Sequence, residues 1–413
     1  MAIVKPFYCV RPNREVAARV AALPYDVYNR SEAREEVKRE PLSFLGIDRP
    51  ETQFSEETDM YSRPVYEKAR DMIRERIREG IFLEDPDACY YIYEQTMDGR
   101  SQTGIVACSS VDDYREGVIR KHELTRAEKE ADRIRHIDIC DVQTGPIFLA
   151  YRNRDDIRAI VAEGKRQEPL YDFVSRAGVF QKVWKLSDPE RVKALEEAFL
   201  RVPNTYIADG HHRAASAVKV GGLRREACPD YTGKEPFNTF LSVLFPEEEL
   251  HIMDYNRVVR DLNGLTSEAF LRKLKEIGWE VRKAETAPFH PTKKREFAMY
   301  LDGCWYAAGP KDGAAFEDPV KDLDVSVLQD QVLGPVLGIG DPRTDTRIDF
   351  IGGIRGLSEL ERRCGEDMKV AFALYPTSMK ELFDVADQGQ LMPPKSTWFE
   401  PKLLSGLFLH KLS

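Results

Sequence analysis

The spacing of apolar residues divides the chain into stretches of different period. Between residues 62 and 80, Val65, Ala69, Met72, Ile73 and Ile77 recur at helical spacing, and Gly80 follows where a left-handed cap belongs. An amphipathic helix is predicted there. The period then shortens. Tyr90-Tyr91-Ile92-Tyr93 and Gly104-Ile105-Val106-Ala107-Cys108 read as strands, and the Asp98-Gly99 pair between them favours a hairpin turn. Tyr206-Ile207-Ala208 and the run from Phe240 to Phe245 are further strands, each bounded by polar or turn residues. Because helix and strand patterns interleave, this part of the chain reads as mixed α/β.

After about residue 260 a second set begins. It comprises a helix around Ser267 to Glu276, a hairpin of Glu296 to Leu301 with Trp305 to Ala308 around Asp302-Gly303, and a Gly/Pro-rich stretch from Gly334 to Gly356. The expected division is residues 1–260 and 261–413, the second region also α/β and packing back on the first. The tail, Pro393 to Lys402, is too rich in aromatic and proline-fixed positions for a loose terminus. No internal repeat of fixed period is visible.

Length supports this division, since 413 residues exceed the roughly 250–300 at which a single core stops growing. Apolar residues at 42% and charged residues at 32% are globular composition. The 61 basic and 70 acidic groups leave a net charge of -9, which weighs against broad nucleic-acid binding. Neither a signal peptide nor a membrane span is read in the sequence, so a cytoplasmic location is expected. The seven cysteines are scattered with no Cys-x-x-Cys pair, so they are expected to be reduced and mostly buried.

Four of the seven histidines fall in two short segments that also carry acids and arginine. In the first, the strand ending at Tyr206-Ile207-Ala208 runs into Asp209-Gly210-His211-His212-Arg213, and an Ala-rich helix is predicted from Arg213. Such a turn aims backbone N–H groups and the positive end of a helix dipole at one spot. Glycine permits close approach there, and Arg213 adds bidentate contacts to a phosphate. The alternative is that Asp209 only caps the helix while the histidines pack locally.

The second segment is Lys121-His122-Glu123-Leu124-Thr125 and the helix after it. Thr125 with Glu128 forms a predicted capping box, which sets His122 and Glu123 at a helix N-terminus. Along that helix Lys129, Asp132, Arg133 and His136 share a face, which reads either as a solvated ion-pair stripe or as part of a site.

From Lys5-Pro6-Phe7 and Pro24-Tyr25-Asp26-Val27, through His122-Glu123-x-Thr125 and Asp209 to Arg213, to Pro393-Pro394-Lys395-Ser396-Thr397, the chain resembles the family catalogued as domain of unknown function 1015. One departure is local: Asn256-Arg257 stands where a His-Arg pair is expected. The central segments also resemble the ParB/sulfiredoxin superfamily, most closely its free serine kinases. Those carry His-Glu, then Pro-Ile, then Asp-Gly-His-His-Arg, an order kept here by His122-Glu123, Gly145-Pro146-Ile147 and Asp209 to Arg213.

The resemblance implies a ParB/sulfiredoxin-like core with insertions, the longest between Ile147 and Asp209. It implies a phosphotransferase acting on free L-serine or O-phosphoserine with Mg2+ and ADP or ATP. Glu123 would be the general base, Asp209 a metal or ribose-side partner, and His122 and His212 further catalytic residues. Gly210, His211, Arg213, Thr125 and Arg133 would hold phosphate and nucleotide; no metal ligand set is assigned.

The main alternative within the superfamily is a ParB-like nucleotide switch, which uses a Gly-x-x-Arg turn. The acidic balance and the missing basic recognition helix count against DNA clamping. Sulfiredoxin chemistry is weaker still, because His211 stands where that enzyme has its reactive cysteine. A metal-hydrolase reading of His122, His136, His211 and His212 lacks the usual ligand spacing. Asp26 is a possible extra carboxylate, and Lys395 and Lys402 are tail cations within conceivable reach of a phosphate.

Overall fold

The computed structural model describes residues 1–125, 127–313 and 315–413. The fold is mixed α/β, with two compact units: Met1–Leu250 together with Pro401–Ser413, and His251–Glu400. This departs from a cut at residue 260. The last thirteen residues return to the first unit, carried there by the apolar run from Leu403 to Leu412.

A nine-stranded sheet organises the first unit. Its strands in chain order are β1 Val4–Lys5, β2 Tyr90–Met97, β3 Arg100–Ser110, β4 Ile119–Arg120 and β5 Ile147–Tyr151, then β6 Tyr171–Val174, β7 Phe180–Leu186, β8 Thr205–Asp209 and β9 Thr239–Pro246. The spatial order is β4-β8-β5-β9-β3-β2-β7-β6, with β1 pairing β3. The predicted β2–β3 hairpin turns at Asp98 and Gly99, with φ of 52° and 77°. Those are the two positive values a tight two-residue hairpin turn requires.

Three helices matter for the site: α1 Arg63–Arg78, α2 Ala127–Cys140 and α3 His211–Ala227. The first matches its predicted apolar stripe, with Val65, Ala69 and Ile73 buried and Gly80 left-handed at φ of 72°. Ile147, Leu149, Ile207, Ala214 and Ala217 join strands and α3 in one apolar core.

A four-stranded sheet places the C-terminal strand Leu409–Lys411 between Cys9–Pro12 and Val142–Gln143. Phe408 is fully buried there, 5.2 Å from the Tyr91 ring and 5.7 Å from that of Tyr93.

The second unit contains a six-stranded antiparallel sheet in the order Trp279–Lys283, Cys304–Pro310, Phe297–Leu301, Val370–Leu374, Tyr255–Val259, Ile348–Gly352. The predicted Asp302-Gly303 hairpin and the Ser267–Glu276 helix are both present. Arg257, 3% exposed, donates to the Lys395 carbonyl at 3.0 Å, and so ties the Pro-rich segment to this sheet.

Four cysteines are buried, and all seven are unpaired thiols. Among the described residues no helix is long and apolar enough to cross a membrane.

Candidate functional site

The strand β8 ends at Asp209, and Gly210 turns the chain with φ of 94° and ψ of 32°. A side chain is disfavoured there twice over: the backbone is left-handed, and a Cβ would lie 3.0 Å from Arg213 Nε. Because the turn is completed in one residue, α3 starts at His211 and not at the predicted Arg213, placing both histidines in its first turn. Gly210 is the N-cap and no side chain caps the helix. Asp209 is therefore not the capping residue. The first-turn N–H groups and the positive helix end remain directed outward, which is an anion-binding geometry.

The sheet brings the second segment to the same place. β4 runs parallel to β8, with Ile119 opposite Thr205 and Arg120 opposite Tyr206, so the residues after both strands emerge at one end. The His122 and His211 rings meet edge to face, with centroids 4.5 Å apart and planes at 87°. The His122 backbone N–H points at His211 Nε2 from 3.5 Å, and His211 Nδ1 is 3.8 Å from Glu123 Oε2. An acceptor at Nε2 leaves the ring proton on Nδ1, the nitrogen facing Glu123.

Burial pushes the His122 pKa down to about 4. Burial and the neighbouring His122 hold His211 well below the usual range. Both rings are therefore neutral near neutral pH, and the positive charge at the site falls to arginine and lysine.

Arg213 Nη1 donates to the Pro146 carbonyl at 2.7 Å, which fixes its guanidinium against Gly145 and Gly210. Its Nη2 stands 3.9 Å from Asp209 Oδ2, and Lys402 Nζ stands 3.5 Å from the same oxygen. Burial raises the Asp209 pKa, but Lys402 and Arg213, with the Gly210 backbone N–H, outweigh it and hold the carboxylate well below the usual range.

Lys402 belongs to the returning C-terminal segment, and its carbonyl accepts from Gln95 Nε2 at 2.9 Å. The sequence names this lysine without placing it, because the contact spans 193 residues and no local pattern announces it.

The charged face of α2 is divided: Arg133 and His136 are buried and Asp132 half-buried, while Lys129 stays exposed as the solvated reading allowed. Arg133 is 7% exposed, pairs with Asp132 at 2.8 Å and lies 4.2 Å from the Tyr25 ring centroid. His136 is bound to the Ile47 carbonyl at 2.9 Å, away from the other histidines. Arg133, Tyr25, Asp48, Thr144 and Arg213 line a small cavity of about 30 Å³. Asp26 is exposed and His212 and Thr125 are half-buried. The predicted capping box runs through Arg126, outside the described residues.

Among the described residues no three of His, Cys, Asp and Glu converge on one metal position. The Asp209 carboxylate instead faces two cations, Arg213 at 3.9 Å and Lys402 at 3.5 Å.

No curated protein matches the chain. Solved structures similar to it include a free serine kinase mutant in complex with AMP, 14% identical with a TM-score of 0.36 over 72% of this chain and 86% of that one. Another is a conserved hypothetical protein from Pyrococcus furiosus, 15% identical with a TM-score of 0.32 over 72% and 90%. A third is SbnI with C-terminal truncation from Staphylococcus aureus, 14% identical with a TM-score of 0.38 over 72% and 85%. These likenesses are distant, and the chemistry of the site rests on its own residues. The sequence match is firmer and covers most of the chain: over residues 4–326 it fits the family described as Protein of unknown function (DUF1015), to which the chain belongs.

Proposed function

We propose that this chain is a nucleotide-dependent phosphotransferase acting on the hydroxyl of free L-serine, or in reverse on O-phosphoserine. The observation that carries the reading is the N-terminus of α3, opened by left-handed Gly210 with no side-chain cap, beside which stand Asp209 with Arg213 and Lys402, and Glu123 at 3.8 Å from His211. Phosphoryl transfer asks a protein chiefly to hold an acceptor in line and to neutralise charge on the phosphoryl oxygens. The order of the His-Glu, Pro-Ile and Asp-Gly-His-His-Arg segments supports the same reading.

In this account the α3 N–H groups and Arg213 bind the nucleotide phosphates. Magnesium arriving with the nucleotide would supply charge neutralisation on its phosphates, while Arg213 and Lys402 supply positive charge from the protein. The serine oxygen attacks the terminal phosphorus while its proton passes to the Glu123 carboxylate. The bond from phosphorus to the bridging oxygen breaks, releasing AMP from ADP or ADP from ATP. Neutral His211, with Nδ1–H toward Glu123, orients the base.

Calorimetric titration with the magnesium complexes of ADP and ATP tests the binding half of the proposal. Wild-type protein is expected to bind at least one, and Arg213→Ala to lose about tenfold in affinity, or about 1.4 kcal/mol. No binding of either nucleotide by folded wild-type protein overturns the reading. Binding without any transfer to or from serine favours the ParB-like switch.

A further inference from the structure

We propose that the small cavity lined by Asp48, His136 and Arg213 receives the ammonium group of the acceptor amino acid, with Asp48 as its counter-ion. The inference rests on the phosphotransferase reading above for its substrate class, and it names the part of the site that tells an amino acid from a plain hydroxy acid.

Asp48 is 2% exposed, and its one described side-chain bond comes from the Thr144 hydroxyl at 2.8 Å. A buried carboxylate is costly unless a cation pairs with it. Among the described residues none does. Arg133, on the same cavity, acts on Asp48 at longer range, but its Nε and Nη2 bond Asp132 at 2.8 Å, and Asp132 accepts from the Tyr66 hydroxyl at 2.9 Å. The charge of Arg133 is matched by Asp132. That of Asp48 has no such partner.

His136 supplies a second acceptor. A backbone carbonyl only accepts, so the 2.9 Å contact with Ile47 puts the ring proton on Nε2 and leaves a lone pair on Nδ1, to which no described residue donates. Burial and the neighbouring Arg133 push its pKa below the ordinary value, so the ring is neutral near neutral pH. One carboxylate oxygen and one imidazole nitrogen thus wait for donors on one cavity, where buried polar groups are normally bonded. An ammonium brings three N–H donors and the missing positive charge.

Size limits what enters. The cavity measures about 30 Å³, and a water-sized group needs roughly 10–15 Å³ of such space, so an ammonium and its carbon fit while a whole amino acid does not. A wider cavity of about 320 Å³ shares Tyr25 and Arg133 with it and has room for the remainder. There Arg133 Nη1 and the Tyr25 hydroxyl, neither bonded to a described residue, are donors suited to a carboxylate. Two acceptors in the small cavity and two donors on the shared wall are the complement of an α-amino acid zwitterion.

The test is calorimetric titration of the full chain, wild type and Asp48→Asn, with L-serine and with 3-hydroxypropanoate, which keeps the hydroxyl and carboxylate but lacks the amine. Each is titrated with and without AMP, the magnesium complexes of ADP and ATP are titrated alongside, and urea unfolding controls the fold. Wild type is expected to bind L-serine at least about tenfold tighter than 3-hydroxypropanoate. Asp48→Asn is expected to lose about tenfold for L-serine while its affinity for 3-hydroxypropanoate and for nucleotide stays near wild type.

Loss confined to the ligand that carries the amine is the signature, since a merely structural carboxylate would weaken all of them. Equal affinity of wild type for the two acids, binding of neither included, overturns the proposal without recourse to any variant. So does an equal fall for every ligand in Asp48→Asn. Asp48-dependent serine binding by a protein that transfers no phosphoryl group overturns the function reading and leaves the ammonium pocket standing, whereas transfer to serine with no Asp48 effect overturns this proposal alone.

Discussion

At Gly210 the backbone takes φ of 94°, and an added methyl would meet the Arg213 guanidinium at 3.0 Å. Gly210→Ala is expected to cost about 1–2 kcal/mol in left-handed strain and to displace the arginine, weakening nucleotide binding about tenfold. Urea unfolding and calorimetry together check this, and unchanged affinity would contradict it. Glu123→Gln keeps the shape of the site and removes the base, so turnover should vanish while nucleotide affinity stays near wild type; loss of binding instead would contradict the assignment.

The buried imidazoles add a pH dependence of stability. His122 and His410 are both pushed down to about 4 by burial, from an ordinary value of 6.5. Between those values the unfolded chain binds protons that the folded chain refuses, so stability is fully present above 6.5 and is lost as pH falls toward 4. Each histidine should remove roughly 2 kcal/mol between pH ~7 and pH ~5. Unfolding free energies that do not fall between those two conditions would count against this burial.

Among the elements, the C-terminal segment joins fold to site. Phe408 is fully buried against Tyr91 and Tyr93, immediately before the strand Leu409–Lys411, and Lys402 reaches Asp209 from the same segment. Phe408→Ala is expected to destabilise the first unit by about 3–5 kcal/mol, read by urea unfolding. A loss well under 1 kcal/mol would show the segment to be peripheral.

The elements also show what the sequence made legible. Both Asp-Gly hairpins, the α1 stripe and the β8 strand were readable because their signals are local: two positive φ values at a turn, or apolar residues at one period. The start of α3 was misread because one left-handed glycine reverses the chain faster than a helix pattern anchored on alanines implies. The α2 face read equally well as solvated because its partners, Tyr25, Ile47 and Tyr66, lie far away in sequence. The same holds for Lys402 and for the return of the tail to the first unit.

Over the whole molecule, a net charge of -9 coexists with a local cluster of Arg213, Lys402 and Arg133 around one helix N-terminus and its adjoining cavity. Global charge thus gives no general affinity for polyanions, while the proposed function assigns a small phosphorylated ligand to the local cluster. Parallel pairing of β4 with β8 turns two motifs distant in sequence into one arrangement, with His122-Glu123 beside Asp209-Gly210-His211. The central claim is that this arrangement transfers a phosphoryl group. Phosphorus NMR of the full chain with magnesium, L-serine and ADP or ATP, and in reverse with O-phosphoserine and AMP or ADP, tests it most directly. The account predicts a growing phosphoserine signal matched by loss of the terminal phosphate of the nucleotide, or the reverse. Spectra that stay unchanged in both directions, with folded protein and bound nucleotide, would contradict it.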